Sequence, residues 1–407
     1  MQWLELGIEN SRRLNILPKQ FLCRQKLIRG IDKITRLAFG ATIASYHKNF
    51  IFGKPTINET RDRIIMGPHA KIADGIVDSI GSTPLVRLRS IIGRSDIEVL
   101  VKLEAANPGG SAKDRPARRM IEAALRDGII REGSTIIESS SGNMGIGLAQ
   151  VCCYYGLRFT CVVDPRAQAQ NVAIIKALGG QIDRVSEPLN GDFLAARIAR
   201  VRHLLERNPN SYWPNQYANL DNPRSHFDGT IREIDDVLSG DLDVLLVATS
   251  STGTAQGCRD YLRERGRDTE VIAVDSIGSV LFGGTSGTRR IPGLGAGKQP
   301  PLAVGQSFDR IERVTDLECV VGCRKVAARE AILVGGSAGG VLMTIGRLQN
   351  ELAGKRCVAV FHDSGERYLD TIFNDQWVEE SLGCPPERLA ELVQSDSFVL
   401  DEELCAV

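Results

Sequence analysis

Glu98-Val-Leu-Val-Lys-Leu103 runs into Asn107-Pro-Gly-Gly-Ser-Ala-Lys113-Asp-Arg-Pro116, and the amphipathic segment Ala117–Arg126 follows at once. A short Val- and Leu-rich run is the pattern of a strand buried on both faces, because a sheet with one wet face would alternate apolar and polar residues. A Gly- and Pro-containing loop that opens a helix completes a strand–loop–helix unit. The unit recurs. Further strand candidates are Thr135–Glu138, Phe159–Val163, Val244–Ala248, Val271–Val274 and Cys357–Phe361, and Phe193–Glu206 is another amphipathic segment. Strands that alternate with helices imply parallel sheets covered by helices, an α/β fold.

This texture spans roughly residues 76 to 372. Residues 1–75 differ, carrying 13 Lys/Arg against 6 Asp/Glu, and Phe21–Phe39 has the three- and four-residue apolar spacing of a helix. A helical extension is expected there, with a targeting peptide or a start at Met66 as alternatives. Residues 379–407 are acidic and contain Pro and Ser, and they read as a peripheral tail. No internal repeat or low-complexity segment is present.

The 407 residues give a prior of two to three domains at about 150 residues each. With 43% hydrophobic and 25% charged residues, the chain has the composition of a globular protein with a sizeable core. Lys+Arg and Asp+Glu are both 50, which excludes a strong electrostatic footprint for nucleic acid or anionic membranes but leaves room for a local anion pocket. No run reaches the length of about 18 apolar residues that a membrane helix needs. Met1–Glu5 lacks a basic region followed by an apolar one, so no secretory signal is expected. The ten cysteines are scattered and several sit in apolar runs, as reduced thiols do in a cytoplasmic protein. Cys319 and Cys323 have no partner pair or histidine nearby, so a zinc site is not expected.

Ligands of open parallel sheets bind beyond the carboxyl ends of the strands. Four loops in such positions stand out: Asn107–Pro116, Ser139-Ser-Ser-Gly-Asn143-Met-Gly, Thr249-Ser-Ser-Thr-Gly-Thr254, and Gly335-Gly-Ser337-Ala-Gly-Gly. Gly145-Ile-Gly147-Leu-Ala-Gln lacks the third glycine of a dinucleotide fingerprint. Gly293-Leu-Gly-Ala-Gly-Lys298 is preceded by Pro292 and followed by Gln299, so it is no P-loop. The Ser250–Thr254 loop offers hydroxyls and the free N–H groups of a helix start, a cradle suited to one phosphate monoester.

From about residue 78 to 375 the chain resembles the cysteine synthase / cystathionine β-synthase family of pyridoxal-phosphate enzymes, the fold-type II group. The resemblance rests on Ser79-Ile-Gly-Ser-Thr-Pro-Leu-Val, Lys102-Leu-Glu, Asn107-Pro-Gly-Gly-Ser-Ala-Lys-Asp-Arg, Ser141-Gly-Asn, Asn215-Gln-Tyr-Ala-Asn, Pro292-Gly-Leu-Gly and Gly365-Glu-Arg-Tyr-Leu, in that order and spacing. It implies two three-layer α/β/α domains with parallel sheets and an active site between them. The larger, cofactor-binding domain would comprise 76–110 and 221–378, and the smaller, mobile substrate domain 111–220. It also implies a homodimer.

By the same resemblance Lys113 is the lysine that binds the cofactor covalently and later acts as the base, Asn143 binds the cofactor's 3-hydroxyl oxygen, and Ser250, Ser251, Thr252, Gly253 and Thr254 hold its phosphate. Ser337 would face the pyridine nitrogen. A hydroxyl there cannot keep that nitrogen protonated, which weakens the electron sink and suits β-elimination. Without the resemblance, Ser337 reads as a helix N-cap. Ser140, Ser141 and Gln216 occupy positions that bind the substrate's α-carboxylate, and Gly293 belongs to the substrate side. Met144 stands where the family usually has Thr, which removes a hydroxyl beside the substrate.

Within the family, Leu157-Arg-Phe-Thr-Cys-Val-Val-Asp-Pro, Arg197-Ile-Ala-Arg-Val, Tyr212-Trp-Pro-Asn-Gln-Tyr217, Gly278-Ser-Val-Leu-Phe-Gly and Gly322-Cys-Arg-Lys resemble the branch that joins O-phospho-L-serine to L-glutamate on the way to 2,3-diaminopropionate and siderophores. A phosphate leaving group needs a cation, for which an Arg fork is better suited than a lysine. Arg197 is the candidate, with Tyr217 beside it, and a solvated helix face is its alternative. The runners-up are a cysteine synthase using sulfide with O-phosphoserine or O-acetylserine, and a catalytically silent binding or regulatory relative.

Overall fold

The computed structural model describes residues 72–140 and 142–400. The Phe21–Phe39 segment and most of the expected extension lie outside the described residues, as does Ser141. Ten strands follow in chain order: β1 Leu85–Arg87, β2 Glu98–Leu103, β3 Thr135–Ser139, β4 Arg158–Val163, β5 Gln181–Arg184, β6 Ser211–Tyr212, β7 Val244–Ala248, β8 Glu270–Ser276, β9 Arg310–Val314 and β10 Arg356–Phe361. They form a six-stranded sheet in the order β1-β2-β10-β7-β8-β9 and a four-stranded sheet in the order β5-β4-β3-β6. All pairings are parallel except that of β1, which runs antiparallel along the edge of β2.

Both faces of the larger sheet are buried. Val99 and Val101, Leu246 and Ala248, and Cys357 and Ala359 point into one apolar cluster, whereas Leu100, Leu245, Val247, Val358 and Val360 point into the other. Alternate residues of one strand thus serve two cores, which is why the runs read as continuously apolar. Each buried Val or Leu among them contributes about 1.5–3 kcal/mol. The smaller sheet repeats the pattern, with Ile136, Phe159 and Cys161 on one side and Ile137 and Val162 on the other, packed against Val201 of the helix Phe193–Arg207.

The helices begin where the chain supplies capping groups. Asp192 accepts Leu194 N–H at 2.7 Å to open Phe193–Arg207. Thr315 and Glu318 form a reciprocal capping box that opens Asp316–Glu330. The strands missed by the apolar pattern are β1, β5, β6 and β9. All four carry half-buried or exposed residues, and β5 and β9 contain charged side chains such as Asp183, Arg184, Arg310 and Glu312. The peripheral-tail expectation for residues 379–407 needs correction. Leu389, Leu392, Phe398 and Leu400 are buried in the main apolar cluster of the larger sheet, because the helix Pro386–Gln394 packs on Asp316–Glu330.

Candidate active site

The loops beyond the carboxyl ends of β3, β7 and β10 converge on a cleft of about 280 Å³. Its lining includes Lys113, Ser140, Asn143, Met144, Gln216 and Tyr217, together with Arg197, Ser250, Ser251, Thr252, Thr254, Gly293 and Ser337. Gly253 opens the helix Gly253–Glu264 just behind the lining.

Lys113 stands at the start of the helix Asp114–Arg126, and its loop is braced from three sides. Ala112 N–H donates to the His362 carbonyl at 2.8 Å, and Gly109 N–H donates to Asp114 at 2.5 Å. A Cβ on Gly109 would lie 2.6 Å from the Asp114 carboxylate, so that close approach requires glycine. Arg115 forks two carboxylates. It meets Glu104 at 2.7 and 2.8 Å and Glu233 at 2.6 and 2.9 Å, while Lys102 ion-pairs Glu233 at 2.7 Å and Thr83 donates to Glu104 at 2.7 Å. Desolvation lowers the Lys113 amine below its ordinary range and outweighs the pull of Asp363 and Glu104. A lysine in this state has reason to be neutral and nucleophilic.

Asn143 is the first residue of the helix Asn143–Tyr154. Its Nδ2 donates to Asp363 Oδ2 at 2.7 Å, and its Oδ1 accepts from the Arg367 guanidinium. Tyr368 OH donates to the same Asp363 oxygen at 2.5 Å. These bonds fix the amide's orientation at the edge of the cleft.

In the Ser250–Thr254 loop Thr252 takes a left-handed backbone, φ +67°, which turns the chain sharply into its helix. The Thr252 hydroxyl accepts from Gln306 at 3.0 Å, and Ser251 accepts from Asn222 at 3.3 Å. Thr254 Oγ1 lies 3.2 Å from His226 Nε2, and His226 Nδ1 lies 2.9 Å from Thr230. A π-helical turn, His226–Thr230, presents that imidazole, and burial followed by the charge of Lys113 holds it well below its ordinary pKa. It is neutral, and with the first helix N–H groups unpaired within the helix, the loop can accept an anion.

Ser337 is the second residue of the helix Gly336–Arg347, and the N-cap is Gly335 without a side-chain bond. The capping alternative for Ser337 therefore does not hold. The solvated-face alternative for Arg197 fails as well. Its side chain is only 13% exposed, ion-pairs Asp164 at 3.3 Å and lines the cleft. Ser140 Oγ accepts the Gly145 N–H at 3.0 Å, so this hydroxyl braces the helix start and keeps its hydrogen for a ligand.

Sequence reasoning missed several residues. Glu138, at the end of an apolar strand, is buried and accepts from Trp213 Nε1 at 2.8 Å, Ser139 N–H at 2.9 Å and Gln216 N–H at 3.3 Å. It ties β3 to the loop that carries Gln216 and Tyr217, and burial pushes its carboxyl up to about 7 against those donors. The one available signal was a lone carboxylate closing the run Thr135–Glu138. His362, Asp363, Tyr368, Arg166 and Arg290 also line the cleft. Burial, reinforced by Lys113, takes His362 down to about 3.

The sequence profile of a family described as "Pyridoxal-phosphate dependent enzyme" matches residues 76–363. This chain belongs to that family. A protein of Ralstonia nicotianae named N-(2-amino-2-carboxyethyl)-L-glutamate synthase is 44% identical over 309 residues, covering 75% of this chain and 91% of that protein. A protein of the same name from Cupriavidus metallidurans is 42% identical over 312 residues, with 75% and 92% covered. Among solved structures, O-ureido-L-serine synthase superposes with a TM-score of 0.71 at 30% identity, covering 74% of this chain and 96% of that one. Cysteine synthase from Entamoeba histolytica superposes at 0.72 and 30% identity, covering 81% and 97%. The fold is that of the fold-type II pyridoxal-phosphate enzymes, and pyridoxal phosphate is the cofactor.

The cleft fits the cofactor. Among the described residues the Lys113 amine and the Ser337 hydroxyl have no hydrogen-bond or ion-pair partner, although both line the cleft and Ser337 is only 4% exposed. A carbonyl-bearing pyridine with a phosphate tail would give a partner to each, and the Ser250–Thr254 loop would offer one to the tail.

Proposed function

We propose that this chain catalyses β-replacement on O-phospho-L-serine with L-glutamate as the amine nucleophile, releasing phosphate and N-(2-amino-2-carboxyethyl)-L-glutamate, a step toward 2,3-diaminopropionate for a siderophore or other natural product. The observation that carries it is the guanidinium of Arg197, nearly buried in the cleft with its Nε against Asp164 at 3.3 Å and its two terminal nitrogens without a hydrogen bond among the described residues, next to the lining residue Tyr217. A cation in that state is suited to a leaving group bearing close to two negative charges. The two relatives above 40% identity carry the name of this synthase, which supports the same reading.

Pyridoxal phosphate, when bound, supplies the electron sink that lets the α-proton and then the β-substituent leave. In this reading Lys113, Asn143, the Ser250–Thr254 loop and Ser337 hold it. Lys113 Nζ, low in pKa through desolvation, takes the proton from Cα and later returns it. Ser140, Ser141, Gln216 and the N-terminus of Asn143–Tyr154 hold the donor's α-carboxylate, and Arg197 with Tyr217 holds the departing phosphate. Met144, only 2% exposed, presents an apolar wall where a hydroxyl would recruit water. In the same reading residues 111–220 act as the substrate domain, and the protein works as a cytoplasmic homodimer. All eight described cysteines are free, which suits a reducing compartment, and among the described residues no helix is long and apolar enough to cross a membrane.

The deciding experiment offers purified enzyme O-phospho-L-serine with glutamate and sulfide in competition and separates products by mass spectrometry. The glutamate adduct is expected to dominate. Cysteine as the main product would replace this reading with the sulfide-using one, and no turnover with either would favour a silent relative.

A further inference from the structure

The cleft is rich in basic side chains in a chain with no net charge: Lys113, Arg166, Arg197 and Arg290 line it against one carboxylate, Asp363. Three of the four basic side chains have occupations. Lys113 serves the cofactor. Arg197 pairs with Asp164 and faces the leaving phosphate. Arg166 binds both oxygens of Asp164 at 3.3 and 3.0 Å and lies over the Phe193 ring at 4.8 Å.

Arg290 has none. Among the described residues its guanidinium makes no hydrogen bond, close ion pair or ring contact; its charge is felt at Asp316, whose carboxylate already accepts two backbone N–H groups, and it is exposed at the rim. Its backbone, by contrast, is fixed. Asp316 accepts Arg290 N–H at 2.6 Å and Ile291 N–H at 3.3 Å, and Ile291 is 4% exposed. Gly293 then turns with φ +80°. An arginine with an anchored main chain and a free fork at the mouth of an anion-binding cleft is set up to receive a carboxylate.

We propose that Arg290 selects an amine acceptor bearing a second carboxylate and pairs with the carboxylate distal to the reacting amine. This rests on the reading that the acceptor is an amino dicarboxylate such as glutamate. The acceptor's amine must enter deep enough to reach the donor's β-carbon, so its α-carboxylate goes in with it. The distal carboxylate, several bonds away, is left near the rim where Arg290 stands. The donor's own anions are served elsewhere, by Arg197 and by the Ser140–Gln216 side of the cleft.

The test compares L-glutamate with L-glutamine, which lacks the distal charge, as acceptors for O-phospho-L-serine, with the adducts quantified by mass spectrometry. Arg290→Gln is expected to raise KM for glutamate about tenfold or more, the factor that loss of a charge-assisted contact brings, with little change in kcat. The glutamate-to-glutamine preference should collapse by the same factor, and Arg290→Lys should recover part of it. An equal loss with both acceptors, a loss that falls on KM for O-phosphoserine, or an unmoved preference would each overturn the assignment while leaving the synthase reading in place. Absence of a glutamate adduct with the unaltered enzyme would overturn both.

Discussion

Asn143 Nδ2 donates to Asp363 Oδ2 at 2.7 Å, a bond between residues 220 positions apart in the chain. It links the start of a helix on the smaller sheet to the loop just beyond β10, one of the two central strands of the larger one. Tyr368 donates to the same oxygen, so one carboxylate orients two cleft-lining side chains.

Asp363→Ala should therefore free the Asn143 amide to turn and should weaken pyridoxal-phosphate binding about tenfold, the equivalent of one positioned charge-assisted hydrogen bond. Absorbance titration of cofactor-free protein measures this. Unchanged affinity with an intact fold would show that Asp363 does not set the Asn143 orientation.

Lys113→Ala should remove the visible absorption band of covalently held cofactor, together with turnover. The far-ultraviolet circular dichroism should stay, because the bracing contacts of this loop run through Ala112, Asp114 and Arg115 rather than the Lys113 amine. A variant that keeps the band would assign the attachment to another lysine.

Arg197→Ala should cut kcat/KM for O-phosphoserine about 30-fold or more, since removing one partner of a poorly hydrated charge pair costs about 2–5 kcal/mol. Activity with O-acetylserine should change little, because acetate brings no comparable charge. Asp164 keeps Arg166 as a partner, so the fold should survive. The ratio between donors is the quantity to read, and equal losses would give Arg197 a structural role.

Glu233 supplies a pH-dependent prediction. Burial alone would push its carboxyl up, but Arg115 and Lys102 bring it down to about 2 from an ordinary 4.5. A depressed carboxyl contributes stability that is present above the unfolded value and lost as pH falls through the folded one. Glu233→Gln should thus be about 3 kcal/mol less stable than the wild type at pH 7. The gap should shrink between pH 4.5 and about 2, as measured by urea midpoints. A gap as large at pH 3 as at pH 7 would place the stabilisation elsewhere than in the ion pairs.

The buried strands and the chemistry-bearing loops were legible in the sequence because both are local. A strand buried on two faces must be apolar at every position, as Val244–Ala248 is, and the phosphate cradle proposed at Ser250–Thr254 gathers its hydroxyls and N–H groups within a few residues. The motif pieces Thr83, Lys102, Glu104 and Arg115 were visible one by one, but only the fold joins them into the network behind Lys113. Edge strands such as β5 and β9 escaped because half-exposed positions accept charge and erase the apolar signal. The burial of Phe398 and Leu400, the clamp of Glu138 on the Gln216 loop and the bond from Asn143 to Asp363 were decided by the tertiary structure alone. Periodicity and spacing describe what a segment needs from its surroundings, whereas the partner that meets the need is set by which distant segments the packed sheets and helices bring within hydrogen-bond reach.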